Sequence, residues 1–411
     1  MNVMDRKRLL FFRWRYSDRC ADFVLANKRL TEQGLAPFFD VVSIDDDCDF
    51  AEMVELHEPD LVLLESGSGT LPFARPRVRN TRAHPQLPRL GLLESDPHSG
   101  CRSVFLADME RLGVETFVSR VTSMAEYMPE IADRLLIWPW HLDDATFRDR
   151  DLDKTVVLTL TGACSPPYPW RERLFPLLAE RYPTLRSQHR GYLRSQAVNM
   201  VWGEDYSRML GASLFSASCG TAWKFLVKKH FEIAGSGCCL VAEDTPALRE
   251  AGFVDMENCV LGDERDIPAK MDALLMDRPR MAEVTRAGVA LLHERHLARH
   301  RPQIRQWLDL VAEHGPGADW VQDGPFGDVR PRRGLEDDAT AHRPSHPEDR
   351  IYLLHARELL ARGEHRAAAR LYQKMLDMAW HMPEPNLGLA LCDLHVGLPH
   401  SARDRLLITL K

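Results

Sequence analysis

The chain has 411 residues, 45% hydrophobic and 27% charged, with a formal net charge of -7. That length has room for two or three domains, each with its own core, and the negative balance argues against a general nucleic-acid binder. Nine cysteines without any C-x-x-C pair indicate neither a disulfide framework nor a zinc cluster. No run of about 18 apolar residues occurs, and the basic start MNVMDRKRLLFF is too short in apolar residues for a signal peptide, so a cytoplasmic protein is expected.

In chain order, Lys7 to Trp14 reads as a buried strand, followed by a helix from Asp18 to Gln33 that Gly34 ends. A strand over Phe38–Ile44 closes on Asp45-Asp46-Asp47, and a helix over Phe50–His57 leads to a strand over Asp60–Glu65. Further strands are expected over Arg89–Leu93, Glu115–Ser119 and Arg134–Trp138, with a helix over Arg102–Leu112. Strands alternating with helices of about 10–15 residues indicate a parallel, doubly wound sheet. A second α/β unit starts with the strand Thr155–Gly162, the loop CSPPYPW and a helix from Arg171 to Arg181. Strand-like Ala212–Ser218 then leads through Cys219-Gly220-Thr221 into a helix.

That helix opens the most informative stretch. Lys228 to Ala234 carries no glycine or proline, Gly235-Ser236-Gly237 ends the helix, and Cys238–Ala242 is an apolar run of strand length. Glu243-Asp244-Thr245-Pro246 breaks that run at once. The segment FEIAGSGCCLVAEDTPALRE (231–250) resembles the donor-binding segment of GT-B glycosyltransferases, and within them the CgeB-like, spore-maturation-protein group. The resemblance extends from about Arg8 to Leu308: Pro139 to Phe147 resembles the interdomain crossover, Tyr168 to Arg171 a Y-x-x-R loop, and His296 the histidine of the closing helix.

The resemblance implies two facing Rossmann-like domains: an acceptor-side domain over 1–140 and a nucleotide-sugar donor domain over 141–314. It implies that Glu232 accepts hydrogen bonds from the donor's ribose hydroxyls and that a basic residue at Lys229 faces the donor phosphate. Many retaining members carry another glutamate eight positions before Glu232; here Lys224 stands there.

Other site candidates come from position along the chain. Arg171 follows the first strand of the second unit and offers a charge to a diphosphate. Gly220 and Thr221, just ahead of the expected helix, suit an anion site on its N-terminus or a plain helix cap. Glu243 ends a core strand, where ligand edges are read. Asp96 and His98 follow a strand of the first unit and face the expected cleft; either could serve as a base toward an acceptor hydroxyl, or simply form the turn. His141 in the crossover is a weaker candidate for that base. The Asp45-Asp46-Asp47 cluster reads as a solvated turn with helix N-terminal charge, and PDLVLLE places Glu65 where a receiver domain would need an aspartate. No metal is required if basic side chains hold the diphosphate, and no cofactor is expected beyond the nucleotide sugar as co-substrate.

Residues 315–349, rich in glycine, proline and charge, read as an exposed linker. Residues 350–411 read as two helical hairpins spaced by about 34 residues, and Ala356, Gly363, Ala367, Tyr372 and Pro383 resemble a tetratricopeptide repeat. Fewer repeats than the roughly three that stand alone imply that this tail packs on the body, on a partner, including a protein acceptor, or on another copy of itself. Two functions follow: transfer of a sugar from a nucleotide diphosphate sugar, or a non-catalytic nucleotide-sugar-binding scaffold, which Lys224 favours.

Overall fold

The computed structural model describes residues 6–16, 19–67, 73–97, 100–187, 189–334 and 336–408. It is an α/β structure built on two parallel sheets. The first contains β1 (Lys7–Phe12), β2 (Phe39–Ile44), β3 (Leu61–Ser66), β4 (Arg89–Leu93), β5 (Thr116–Ser119) and β6 (Leu135–Ile137) in the order β6-β5-β4-β3-β1-β2. Helices α1 (Asp22–Leu35), α2 (Phe50–His57) and α3 (Arg102–Leu112) make crossovers. Asp49 caps α2 by accepting from the backbone N–H of Ala51 at 3.0 Å, and Gly113 ends α3 in the left-handed region. β3 and β4 are buried at every residue, as expected of strands covered on both faces.

The second sheet contains β7 (Val156–Thr161), β8 (Thr184–Ser187), β9 (Ser213–Ser218), β10 (Cys239–Glu243) and β11 (Val260–Gly262) in the order β8-β7-β9-β10-β11. Its helices are α4 (Pro169–Arg181), α5 (Gly203–Gly211), α6 (Lys228–Gly235), α7 (Pro246–Glu250), α8 (Ile267–Met276) and α9 (Arg278–Arg295). In each sheet the strand order reverses beside the first strand, between β1 and β3 and between β7 and β9. Such a reversal opens a crevice at the carboxyl ends of the strands.

The C-terminal part departs from expectation. Helix α10 (Gln303–His314) packs on the first sheet, not the second: Ile304, Trp307, Leu308 and Val311 share a core with Leu9, Phe11, Leu63 and Trp138. Arg301 anchors this return. Its buried guanidinium donates to the carbonyls of Trp140 at 2.9 Å and Arg295 at 2.9 Å, and meets His296 Nδ1 at 2.7 Å.

The segment expected to be an exposed linker is exposed only in part. It forms a hairpin of β12 (Trp320–Gln322) and β13 (Val329–Pro331) and buries Val321, Gln322, Val329, Ala341 and Ser345. The Gln322 amide reproduces a strand neighbour for edge strand β6. It accepts from Ile137 N at 3.0 Å and donates to Ile137 O at 2.9 Å. Composition misleads here because a few apolar and amide side chains suffice to cover a sheet edge.

Four helices follow, α11 (Glu348–Ala361), α12 (His365–Met378), α13 (Pro383–His395) and α14 (Pro399–Ile408), each packed on the next. Gly388 of α13 lies against the Tyr372 ring so closely that a Cβ would approach Cζ to 2.3 Å. Leu353, Ala356 and Tyr372 join a hydrophobic cluster that also contains Tyr127, Met128 and Phe105 of the first sheet's layer.

Candidate active site

Between the two sheets lies a cleft of about 400 Å³, within the range of small-molecule sites. One wall comes from the first sheet's layer: Phe23, Ala26, Asn27 and Leu30 of α1, with Asp96 after β4. The opposite wall is built at the strand-order reversal of the second sheet, from Thr161 at the end of β7 with Gly162 and Ala163 after it, Cys219 and Thr221 after β9, and Lys228, Lys229 and Glu232 of α6.

Arg171 spans the reversal. Buried, it donates from Nη1 to Ala163 O at 3.1 Å and from Nη2 to Cys219 O at 3.1 Å, and the Tyr168 ring lies 4.2 Å from its guanidinium carbon. Lys229 comes to the same spot. Gly162, at φ +94°, makes room for both, since a Cβ there would lie 2.7 Å from Arg171 Nη1 and 2.9 Å from Lys229 Nζ. Burial, followed by the charge of Arg171, pushes the Lys229 ammonium down to about 7. His189, facing the same two cations, is held below the ordinary histidine value by burial and then by their charge. Two cations gathered at a strand-order reversal make a site suited to an anion.

Glu232 lies one turn along α6 from Lys228, whose Nζ contacts its Oε1 at 2.9 Å. Its charge, after burial, raises the phenol of the neighbouring Tyr206, which hydrogen-bonds Thr161 Oγ1 at 2.9 Å. Asp96 faces this wall from the first sheet's side, and after burial its charge contributes to raising the Tyr192 phenol to about 12.

Six of the residues considered for the site therefore line one cleft: Asp96, His141, Arg171, Thr221, Lys229 and Glu232. His98 lies outside the described residues. Glu243 does not line the cleft. It pairs with Lys224 at 3.9 Å, and burial raises its carboxyl to about 7. Gly220 and Thr221 do not open a helix either, because α6 begins seven residues beyond Thr221, at Lys228. The intervening loop is drawn into the core by Trp223, Phe225 and Leu226, and Gly220 folds back so that Phe225 N donates to its carbonyl at 3.2 Å. Any anion binding there is by side chains and loop amides, not by a helix end.

The first sheet's own crevice is filled. Glu65 at the end of β3 meets Lys28 Nζ at 2.6 Å, the Tyr16 hydroxyl at 2.6 Å and Trp14 N at 3.1 Å, while Glu94 is flanked by Lys28 at 3.4 Å and Arg120 at 3.7 Å. Burial opposes the charge on Lys28, but the two carboxylates outweigh it and raise the ammonium. A receiver-like phosphoacceptor role for Glu65 is incompatible with this packing. Among the described residues, no group of three or more His, Cys, Asp or Glu could hold a metal ion, and no helix is long and apolar enough to cross a membrane.

Residues 150–309, the segment carrying the cationic wall and Glu232, match the family model described as glycosyl transferase-like. Sugar transfer is the activity this match supports. A search of curated proteins returned no match. Among solved structures, HepE from Anabaena with UDP and glucose is 11% identical over 75% of this chain and 100% of its own, with a TM-score of 0.49. A glycosyltransferase from Rickettsia africae is 10% identical over 76% of this chain and 100% of its own, with a TM-score of 0.45. At these scores the likenesses carry no inference about residues or ligands.

Proposed function

We propose that the chain is a GT-B-type glycosyltransferase of the CgeB-like kind, taking a sugar from a nucleotide diphosphate sugar bound on the second sheet to an acceptor presented from the first. The proposed donor domain spans 141–314, the acceptor-side domain 1–140, and the tail over 350–411 is tetratricopeptide-like and offers a surface to a protein acceptor or partner. Arg171 and Lys229 neutralise the diphosphate, Glu232 accepts the ribose hydroxyls through charge-assisted bonds, and Thr221 lies against the phosphates. Asp96, across the cleft, is placed to take the acceptor's proton if configuration inverts. Desolvation in the cleft strengthens each of these interactions.

The observation that carries the reading is the convergence of Arg171 and Lys229 on Gly162, where a Cβ would lie 2.7 Å from Arg171 Nη1 and 2.9 Å from Lys229 Nζ. The test is a thermal-shift panel of UDP, GDP, CMP, ADP and dTDP on the wild type and on Glu232→Ala. One nucleotide is expected to stabilise the wild type, by about 2.7 kcal/mol at 100 times its dissociation constant, and to lose most of that effect in the variant. No shift with any nucleotide overturns the reading.

Lys224, standing where many retaining members carry a glutamate, favours the non-catalytic alternative. A donor-hydrolysis and transfer assay separates the two: binding without turnover selects the scaffold.

A further inference from the structure

The donor wall does not hold Glu232 by itself. Lys228 Nζ, which contacts Glu232 Oε1 at 2.9 Å, also donates to Asn27 Oδ1. Asn27 belongs to α1, on the opposite wall, and all three side chains line the cleft. The next residue on α1, Lys28, is fixed by Glu65 at 2.6 Å and Glu94 at 3.4 Å. The helix that presents Asn27 is therefore pinned to the ends of β3 and β4 through buried ion pairs. A second tie between the layers lies beside it: Ala21 N donates to Tyr192 O at 2.9 Å, and Arg194 meets Asp22 at 2.9 Å.

We infer that Asn27 is a positioning residue for the donor site: it reaches across the cleft to hold Lys228, and through Lys228 it orients the Glu232 carboxylate. This rests on the donor reading above. A lysine at i−4 of a helical glutamate has many rotamers and, left alone, contributes little. Held at both ends, it fixes the carboxylate before the ligand arrives, and the ordering cost is met in the folded protein instead of on binding. A consequence follows for the two layers. Donor affinity depends on the first sheet's helix as well as on the second sheet, so separating the walls weakens donor binding even where no residue contacting the nucleotide has changed.

The experiment is a double-mutant cycle on the full chain, titrating UDP, GDP, CMP, ADP and dTDP separately into the wild type, Asn27→Ala, Lys228→Met and Asn27→Ala/Lys228→Met. For the nucleotide that binds the wild type, Asn27→Ala is expected to raise Kd about tenfold, as for loss of a hydrogen bond to a charged group. The double variant should bind no worse than Lys228→Met alone, because Asn27 acts through Lys228. Asn27→Asp, which keeps an acceptor oxygen for Lys228, should bind within about threefold of the wild type, a rescue that a purely structural role of α1 would not give. In steady state Asn27→Ala should raise KM for the donor more than it lowers kcat. Unchanged affinity in Asn27→Ala, or additive losses in the double variant, overturns this inference while leaving the donor reading intact. No binding of any of these nucleotides to the wild type overturns the donor reading first and this inference with it. Should Asn27→Ala not fold, the comparison of Asn27→Asp with Lys228→Met decides: Asp at wild-type affinity supports the relay, and Asp as weak as Lys228→Met refutes it.

Discussion

At Lys229 a single buried ammonium reports on the ligand. Burial and Arg171 depress it to about 7 from an ordinary 10.5, so between those values the unfolded chain binds more protons than the folded one. This group therefore makes the free protein more stable as pH rises through that window. An anion beside it restores the charged form, and binding then takes up a proton. Affinity for a nucleoside diphosphate should fall as pH rises above 7, by at most about tenfold per unit. Calorimetry in buffers of differing ionisation enthalpy should register proton uptake near pH 8 in the wild type and none in Lys229→Met; equal uptake in both would show that Lys229 is not the coupled group. The residue itself was legible in the sequence two positions before Phe231, through the resemblance. Asn27, the partner of the neighbouring Lys228, was not, because about 200 residues of chain separate those two and only the apposed walls bring them together.

At the scale of elements, the loop between β9 and α6 shows how packing overrode a local reading. Cys219-Gly220-Thr221 before an apparent helix suggested an anion-binding helix end. The helix starts later because Trp223, Phe225 and Leu226 are worth more buried than continued in a regular turn. Thr221 and Lys224 accept positive φ values of 66° and 55° as part of that route. Gly220 is required by it: a Cβ there would lie 1.8 Å from Phe225 O. Gly220→Ala should destabilise the protein by about 1–3 kcal/mol, the usual cost of overpacking, and should weaken nucleotide binding through displacement of Thr221 and the N-terminus of α6. Urea unfolding together with the nucleotide titration checks both. Wild-type stability in the variant would mean that the loop relaxes freely.

Across the whole molecule, the chain returns to the first sheet after completing the second. Arg301 holds the crossing, α10 covers one face, and the hairpin places Gln322 on the edge of β6. Arg343 then joins both layers: its guanidinium donates to Glu250 of α7 at 3.3 Å, and its backbone N–H donates to Thr122 O at 3.0 Å. Gln322→Ala leaves the N–H and C=O of Ile137 without this partner in a buried setting, and should cost about 2 kcal/mol. Denaturant unfolding measures it; a change under about 0.5 kcal/mol would show that the amide is replaceable there.

The sequence alone determined what local pattern controls. Apolar runs of strand length separated by helical stretches required parallel α/β layers, and β4, α2 and α3 fall on the residues expected of them. The glycines after α6 stop a helix wherever it is packed, and the resemblance around Glu232 pointed to the same stretch that lines the cleft. Tertiary structure alone decided which side chains meet. It brought Arg171 and Lys229 together at Gly162, set Glu243 with Lys224 away from the cleft, filled the first crevice with Glu65 and Lys28, and turned a glycine- and proline-rich segment into the cover of a sheet edge. The physical reason is common to all four. Helix and strand periodicity is encoded over a few residues, whereas a charge's partner, its burial and its protonation depend on which distant segments share one dry volume.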